Sequence, residues 1–447
     1  MKSYFHRLTI RSFLLWTAIA LLHSPEENNA GAASNDAGDP LPHQVLDCRI
    51  EQVCEVITLE YTITNCERRT TNCAKTKQGL EKVAYITDPM NYIEGPFTQE
   101  RFSVEYLDLG LRQPRDFEFL SDGTLFVAQK SGNIVVFGSG GKKTIFEKKV
   151  VNGYTSGMLG LAIHPDFESN GYLYVYYTYS FDDNYPVPEN KSLRRNLNRV
   201  SRLTVANGQV VEESTLIDAI PGSMIHVGGR LEFGPDGKLY ATTGDANELK
   251  LAQQKEFLGG KVLRLNADGS IPDDNPFATY VYSMGHRNPQ GMAWNLQTGH
   301  LYTSEHGPWK YDEINRIIPG TNYGWGGFKC DEVYSSKKIV TGRVKFPVDC
   351  FKKWTMAPSG MEYVWDRGSP WFGSLFVASL RGKHVRRYII DKDTILLEEI
   401  FYVPVGKDYP TINKSRIGTR IRDIEYRDGS LYVMGNPFGM VKLTPIE

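Results

Sequence analysis

The sequence predicts an all-β protein, a six-bladed β-propeller, with a short cysteine-containing segment at its N-terminal side. Three observations support this fold. Tyr (25) and Phe (21), which favour strands, are frequent. Gly (42) and Pro (23) are numerous enough for many turns. A hairpin pattern of one kind also recurs six times along the chain, at spacings of about 45 to 70 residues. Such spacing suits one four-stranded blade per copy.

Each copy of the hairpin has a short apolar strand, a polar turn and a second strand rich in Leu, Tyr, Phe and Val. Asp-Gly, Thr-Gly or Asn-Gly near the turn supplies the positive φ that tight hairpins need. The copies begin with RDFEFLSDG (from Arg115), LGLAIHPDF (Leu159), RLEFGPDG (Arg230), QGMAWNLQTG (Gln290), GMEYVWDRG (Gly360) and RDIEYRDG (Arg422). A solenoid would have shorter and more regular repeats. The pattern therefore predicts a propeller over residues 100–447.

The N-terminus has the pattern of an export signal. Basic residues, among them Lys2, Arg7 and Arg11, precede an apolar run at 13–22, and small residues follow at 30–33. The run is too short to span a bilayer as a stable helix. We therefore expect a signal peptide over residues 1–33, no membrane span in the mature chain, and a secreted or periplasmic location.

The cysteines fall into two local groups. Four lie in the segment 34–99 and two flank a later loop. Behind an export signal, even numbers in local clusters predict disulfides. Zinc is the alternative for the first group, although its spacings contain no CxxC pair. The two groups are Cys48, Cys54, Cys66 and Cys73, and then Cys330 and Cys350.

The charges nearly cancel. The chain has 51 basic and 52 acidic residues, a net charge of −1, and no run of Lys or Arg. This balance argues against nucleic acid as a partner and favours a small molecule or a protein.

Unusual polar residues recur at one end of the hairpins. His226 comes just before the first strand of the third copy, and Asp245 comes just after its second strand. Because these two positions meet at the same edge of a hairpin, the side chains should be neighbours. Separately, they could be a turn-capping histidine and an ordinary turn acid. Together they have the character of a general base and the carboxylate that orients it.

Arginines gather at the same ends of other blades. In a ring of blades these ends surround the mouth of the central channel. Guanidinium groups placed there would repel one another without compensating carboxylates. They could bridge blades through acids, as Arg422 could with Asp423. As a set they predict an anionic ligand, a polycarboxylate. The set is Arg287, Arg381, Arg420 and Arg422.

A loop rich in Gly and Pro contains two adjacent acids, Asp312 and Glu313. They could be surface charges. Calcium is the other interpretation, since it takes oxygen ligands that include main-chain carbonyls.

These residues carry a family resemblance. SGMLGLAIHPDF from Ser156, IHVGGRLEFGPDGKLYATTGD from Ile225 and GHRNPQGMAW from Gly285 resemble the soluble quinoprotein glucose and aldose sugar dehydrogenases. SEHGP from Ser304, DEINRIIPGTNYGWG from Asp312 and APSGMEYV from Ala357 do so too. The motifs cover nearly the whole propeller in order.

The resemblance implies pyrroloquinoline quinone (PQQ) and calcium as cofactors, a sugar as substrate and an external electron acceptor. His226 matches the general base and Asp245 the acid that orients it. Arg287 and Asn288 match contacts to the quinone carbonyls, and Arg287 would also polarise them. Arg420 and Arg422 match the pair that holds the PQQ carboxylates, and Arg381 falls near a position where the family offers Lys. For calcium, the carbonyls of Gly307 and Pro308 match ligands of the ion that binds PQQ, while Asp312, Glu313 and Tyr323 match contacts to a second ion.

The sequence departs from this family at the sugar side, where Thr155 and Ser156 stand in place of Gln or Glu. Two other functions remain open. One is a non-catalytic extracellular propeller that resembles the Hedgehog-interacting proteins, which also carry cysteine-rich additions. The other is a calcium-dependent hydrolase of the lactonase type, which would need carboxylates from several blades around an axial metal.

Overall fold

The computed structural model describes residues 49–58, 62–71, 81–88, 93–96, 102–180, 196–333, 340, 342–381, 384–402 and 420–446. The described chain is almost entirely β-structure, and six four-stranded antiparallel sheets form a six-bladed propeller. The predicted fold class is therefore confirmed. None of the helices in the described part of the chain is long and apolar enough to cross a membrane.

The chain begins its described part with a separate antiparallel sheet and then enters the propeller. The N-terminal strands are β1 (Arg49–Thr58), β2 (Thr62–Thr71), β3 (Glu81–Asp88), β4 (Ile93–Pro96) and β5 (Phe102–Leu107). Strands β1 to β4 pair in that order. The segment over 34–99 was expected only to be tied by disulfides, and its four-stranded sheet is an addition to that expectation.

Blades 1 to 3 each use four consecutive strands, with the first strand nearest the axis. Blade 1 has β6 (Pro114–Phe119), β7 (Leu125–Gln129), β8 (Asn133–Gly138) and β9 (Gly141–Glu147). Blade 2 has β10 (Met158–Ile163), β11 (Tyr172–Ser180), β12 (Asn196–Ala206) and β13 (Gln209–Pro221), with the short helix α1 (Phe167–Asn170) between its first two strands. Blade 3 has β14 (Leu231–Phe233), β15 (Leu239–Thr243), β16 (Lys261–Leu265) and β17 (Val281–Met284), with a 3₁₀ turn at Leu251–Gln253.

Blades 4 to 6 contain one insertion and one long-range closure. Blade 4 has β18 (Pro289–Asn295), β19 (His300–Glu305), β20 (Asp312–Ile317) and β23 (Asp349–Phe351), with the hairpin β21 (Phe328–Lys329) and β22 (Glu332–Val333) inserted. Blade 5 has β24 (Pro358–Tyr363), β25 (Leu375–Ser379), β26 (His384–Asp391) and β27 (Thr394–Tyr402). Blade 6 has β28 (Arg420–Arg427), β29 (Ser430–Asn436) and β30 (Gly439–Pro445), and its fourth strand is β5.

The closure of the ring is non-local. Strand β5 precedes blade 1 in sequence but pairs with β30, with Phe102 opposite Pro445 and Leu107 opposite Met440. The outer strand of the last blade therefore comes from the beginning of the propeller, which leaves no open seam between first and last blades.

A buried ion network ties the blades together at the axis. Arg230 of blade 3 contacts Asp116 of blade 1 and lies 2.8 Å from Asp423 of blade 6. Asp116 also accepts the main-chain N–H of Leu161 in blade 2 at 2.8 Å, and Arg230 donates to the carbonyl of Gln290 in blade 4 at 3.2 Å. Blade 5 closes in through a glycine, because a Cβ at position 360 would collide with Asp423.

A layer of four glutamates lies next to this network. In the first copy of the hairpin the glutamate stands two positions after Asp116, and in three other copies a glutamate stands at the equivalent position. Burial raises the pKa of all four, and the charge of Asp423 raises each of these pKa values further. The corresponding residues of blades 2 and 4 are Ala162 and Ala293. The four are Glu118, Glu232, Glu362 and Glu425.

The cysteine predictions have two outcomes. Cys330 and Cys350 form a disulfide with a Cα–Cα distance of 6.0 Å, which confirms that pair. In the N-terminal sheet Cys54 and Cys66 occupy paired positions of β1 and β2. Cys48, Cys73 and the signal peptide predicted over residues 1–33 lie outside the described residues.

Candidate active site

His226 and Asp245 meet at the channel-mouth end of blade 3. His226 precedes β14 and Asp245 follows β15, and Nδ1 of the histidine lies 2.8 Å from Oδ1 of the aspartate. Glycine at position 244 makes this approach possible, because a Cβ there would collide with the carbonyl oxygen of His226. The contact expected from the hairpin geometry is confirmed.

The Asp245 carboxylate is fixed on both sides. It is 2% exposed. Its Oδ1 also accepts the main-chain N–H of Asn247 at 2.8 Å, and its Oδ2 accepts the indole N–H of Trp325 at 2.7 Å. Because the carboxylate bonds Nδ1 of His226, it holds the imidazole proton on Nδ1 and leaves Nε2 as the basic nitrogen. His226 also has a left-handed φ of 54°, a conformation with a cost that is typical of functional sites.

Arg287 lies directly beside this pair. Its main-chain carbonyl accepts the N–H of Asp245 at 2.8 Å. Its guanidinium stands 5.3 Å from the ring centre of Trp325 and donates from Nη1 to the carbonyl of His306 at 2.9 Å. A positive charge is thus held beside the indole ring whose N–H bonds Asp245.

His306 is a neutral neighbour of the arginine. Burial, and secondarily the charge of Arg287, lowers its pKa to about 3. Its Nε2 donates to the carbonyl of Pro358 in blade 5 at 2.7 Å. His306 therefore braces the site and adds no charge to it.

Asn288 has a bracing contact of its own. It is 2% exposed, and its Oδ1 accepts the main-chain N–H of Gly228 at 3.0 Å. This bond positions the backbone that follows His226. The amide nitrogen is the end of the side chain that can donate to a ligand carbonyl.

A small cavity of about 10 Å³ lies beneath the loop between β19 and β20. Its lining includes Glu305, Gly307, Pro308 and Glu313. Burial, and next the charge of Glu305, raises the pKa of Glu313 to about 8. The carboxylates of Glu305 and Glu313 are oxygen ligands of the kind that calcium takes, and the main-chain carbonyls of Gly307 and Pro308 could add to them.

The other two predicted calcium contacts already make several hydrogen bonds. Asp312 accepts the N–H of Gly307 at 2.9 Å, the hydroxyl of Thr355 at 2.8 Å and the N–H of Ala357 at 2.7 Å. The hydroxyl of Tyr323 donates to the carbonyl of Arg316 at 2.5 Å and accepts the N–H of Ile318 at 2.9 Å. No three His, Cys, Asp or Glu side chains of the described residues converge on a metal position. A calcium site here would consequently depend on main-chain oxygens.

Three of the predicted arginines lie at strand ends of blades 5 and 6. Arg420 begins β28, and Arg422 follows it with only 8% of its surface exposed. Arg381 is exposed just after β25. The alternative pairing of Arg422 with Asp423 is wrong, because Asp423 bonds Arg230 instead. Adjacent residues of a strand point in different directions, so neighbours in sequence make poor ion pairs there.

Comparison with known proteins shows the family of this chain. The family model for glucose/sorbosone dehydrogenase matches residues 111–439. The chain belongs to the glucose/sorbosone dehydrogenase family. Quinoprotein glucose dehydrogenase B of Acinetobacter calcoaceticus is 34% identical over 63% of this chain and 64% of its own length. Aldose sugar dehydrogenase YliI of Escherichia coli is 34% identical over 62% of this chain and 74% of its own length.

A solved structure of a family member gives the same fold. The PQQ-bound aldose sugar dehydrogenase of Streptomyces coelicolor superposes with a TM-score of 0.61 at 28% identity. The match covers 78% of this chain and 99% of that protein.

Several site residues of this glucose/sorbosone dehydrogenase family member escaped the sequence analysis. Trp325 lies 80 residues from the Asp245 that it bonds, so no local pattern joins them. Arg115 did carry a signal, because it begins the first hairpin copy as Arg422 begins the sixth. Lys130 lies at the end of the second strand of its hairpin, where the other polar residues were found, and its Nζ contacts the carbonyls of Gly153 and Tyr154.

Proposed function

We propose that this protein oxidises aldose sugars to lactones with PQQ and calcium and passes the electrons to an external acceptor. The observation that carries the proposal is the His226–Asp245 pair, with the guanidinium of Arg287 beside the Trp325 ring that bonds the same carboxylate. Family membership supports it, as do relatives whose names describe a quinoprotein glucose dehydrogenase and a PQQ-bound aldose sugar dehydrogenase.

His226 is suited to take a proton from a sugar hydroxyl. Nδ1 is held by Asp245, so Nε2 is the nitrogen that would accept the proton. Asp245 then stabilises the imidazolium, and Trp325 keeps the carboxylate in place. Arg287 places positive charge where negative charge develops on a neighbouring group.

The residues fit the proposed cofactors. Arg420 and Arg422, with Arg381 at the same rim, would bind carboxylates, and Asn288 with Arg287 would donate to carbonyl oxygens. PQQ supplies hydride acceptance when bound. The carbonyls of Gly307 and Pro308 would hold the calcium that binds PQQ, and Asp312, Glu313 and Tyr323 would contact a second calcium nearby.

An extracytoplasmic location is part of the proposal. The Cys330–Cys350 disulfide supports it, since such bonds persist in oxidising compartments. The signal peptide proposed over 1–33 and the cysteine-containing segment 34–99 ahead of the catalytic propeller agree with export.

Two alternative functions fit the site less well. A purely binding propeller of the Hedgehog-interacting kind has no need for a histidine fixed by a buried carboxylate. A lactonase-type hydrolase would hold its metal on the axis with several carboxylates. Acids do lie there, which the sequence analysis overlooked, but Arg230 occupies the position between Asp116 and Asp423.

The test is reconstitution. The mature chain is purified without cofactors, supplied with PQQ and calcium, and assayed for dye reduction with a panel of aldoses. We expect turnover that needs both additions. His226→Ala should lower kcat by about 100-fold or more. His300→Ala, at the opposite end of blade 4, should leave kcat unchanged. Absence of PQQ-dependent turnover with every aldose would refute the proposal.

A further inference from the structure

Five inner strands of the propeller each present one side chain to the channel mouth from an equivalent position. Register shifts interrupt the pairing of β6, β10, β18, β24 and β28 near the same point of each strand. A bulge re-aims the extra residue, and bulges are frequent beside functional sites. The residues at these shifts are Arg115, Leu159, Gln290, Ser359 and Arg422.

All five of these residues line one cavity of about 30 Å³. A site for one water molecule needs about 10 to 15 Å³ on this measure. The cavity therefore has room for a halide ion or one carboxylate group, and it is too small for a whole organic molecule. Arg230 also lines it, from the layer of the axial ion network.

The two charged residues of the set stand on adjacent blades, and in the described part of the chain no carboxylate forms an ion pair with either. The acids that follow them, Asp116 and Asp423, are both bonded to Arg230. Among the described residues, neither Arg115 nor Arg422 forms an ion pair, and the Nε atom of each is buried without a hydrogen-bond partner. Arg422 is 8% exposed. A buried guanidinium N–H without an acceptor is unfavourable, so an anion that accepts from both arginines would stabilise this part of the structure.

Neighbouring positive charges make the absence of a counter-charge for Arg115 and Arg422 more unfavourable. Burial, and then the charge of Arg420, lowers the pKa of Arg115 to about 10. Burial, and then Arg115 and Arg420, holds the pKa of Arg422 well below its usual value. The pKa of Lys130 falls to about 8 through burial and the charges of the same three arginines. The two arginines of the set, which line the cavity, are therefore close enough to Arg420 and Lys130 to be repelled by both.

We propose that Arg115 and Arg422 together bind one small anion, a carboxylate or a halide, at the mouth of the axial channel. Arg115 is thus a binding residue from blade 1 that the cofactor contacts proposed above do not include. The anion can come from two sources. One is a carboxylate arm of PQQ, an assignment that rests on the proposed function, and the other is a free ion from solution.

The first experiment uses the protein without PQQ. Thermal unfolding is followed while chloride or acetate replaces the bulky buffer anion HEPES at constant ionic strength. We expect the Tm of the unsubstituted protein to rise by about 2 °C as the small anion binds the folded state. Arg115→Gln should abolish the rise, and its Tm in HEPES should equal or exceed that of the unsubstituted protein, since a repulsive charge is gone. A merely structural arginine would instead lower it.

Two controls keep this test decisive. Arg367→Gln removes an exposed arginine of blade 5, in the turn that follows β24, and should keep the full chloride response. Arg115→Lys keeps a positive charge and should retain part of the response, which also covers the case in which Arg115→Gln fails to fold. An equal chloride response in the unsubstituted protein and Arg115→Gln overturns the anion site, as does no response in either.

The second experiment identifies the source of the anion by equilibrium titration of PQQ, monitored by quenching of tryptophan fluorescence. If the site holds a PQQ carboxylate, Arg115→Gln should weaken PQQ binding about tenfold or more. Chloride should then compete with PQQ in the unsubstituted protein only. Unchanged PQQ affinity combined with a lost chloride response assigns the site to free ions. If PQQ does not bind at all while chloride still stabilises through Arg115, the proposed function fails and the anion site stands.

Discussion

The indole nitrogen of Trp325 donates a 2.7 Å hydrogen bond to Oδ2 of Asp245, and the other oxygen of that carboxylate bonds Nδ1 of His226 at 2.8 Å. The relationship crosses from blade 3 to the insertion of blade 4. It makes the orientation of the histidine depend, through the Asp245 carboxylate, on a residue of another blade.

Replacement of Trp325 tests this dependence. Trp325→Phe keeps an aromatic ring but removes the indole N–H that donates to the Asp245 carboxylate, so Asp245 should hold the imidazole of His226 less firmly. We expect kcat of the reconstituted enzyme to fall about tenfold with little change in KM. Trp365→Phe, which removes an indole bond to the carbonyl of Trp294 in the far half of blades 4 and 5, should leave kcat unaltered. Equal kcat values in both variants would show that Trp325 has no positioning role.

The sequence was informative where the relevant signal is local. Alternating strands and turn residues recur within each hairpin, so the six blades follow from short-range patterns. The meeting of His226 and Asp245 follows as well, because both flank one hairpin. The pairing of β5 with β30 could not be read this way, since it joins the two ends of the propeller.

The residues missed by sequence analysis depend on how blades face one another. Trp325 reaches Asp245 only through the placement of the blade 4 insertion. The channel glutamates are different, because Glu118, Glu232, Glu362 and Glu425 hold the same offset in four hairpin copies. Comparison of the copies position by position would have revealed them, and it would also have placed Arg115 beside Arg422.

The axial network should be a major determinant of stability. Arg230 is the shared partner of two buried aspartates, so Arg230→Met leaves two carboxylates unpaired in the core. We expect the free energy of unfolding, measured in urea, to fall by about 3 to 5 kcal/mol. Arg316→Met breaks a pair with Asp393, which is 43% exposed, and should cost about 1 kcal/mol or less.

A compensated variant separates lost pairing from lost packing. Adding Asp116→Asn and Asp423→Asn to Arg230→Met removes the uncompensated charges and should recover more than half of the loss. If the triple variant is as unstable as Arg230→Met alone, the ion network does not explain the effect.

Calcium affinity should depend on Glu313. Its Oε1 accepts the N–H of Cys330 at 2.8 Å, so Gln at this position can keep that bond while it removes the negative charge. We expect Glu313→Gln to weaken calcium binding about tenfold or more in isothermal titration calorimetry, because charged oxygen ligands set the affinity of such sites. Glu332→Gln, on the neighbouring hairpin, should bind calcium as the unsubstituted protein does. Identical affinities in the two variants would remove Glu313 from the proposed site.

The channel glutamates make stability depend on pH. Burial raises the pKa of Glu232 to about 8 from an ordinary value near 4.5. Between these values the folded state holds a proton that the unfolded state has released. The stabilisation due to this group is therefore complete below about pH 4.5 and is lost as the pH rises through 8.

Glu232→Gln replaces the titrating group by one that stays neutral. At pH 5 the variant should unfold with nearly the same free energy as the unsubstituted protein, because the glutamate is protonated there. At pH 9 the variant should be the more stable by about 2 kcal/mol. This is less than the free energy that the whole pKa shift corresponds to, because the Glu232 side chain is partly open to the channel. Urea unfolding from pH 5 to 9 measures the free energy of unfolding of both proteins at each pH. Glu212→Gln, at an exposed position, is the matched control. A difference that does not grow with pH would mean that Glu232 is ionised in the folded protein, and the channel would then have to hold a counter-charge for it.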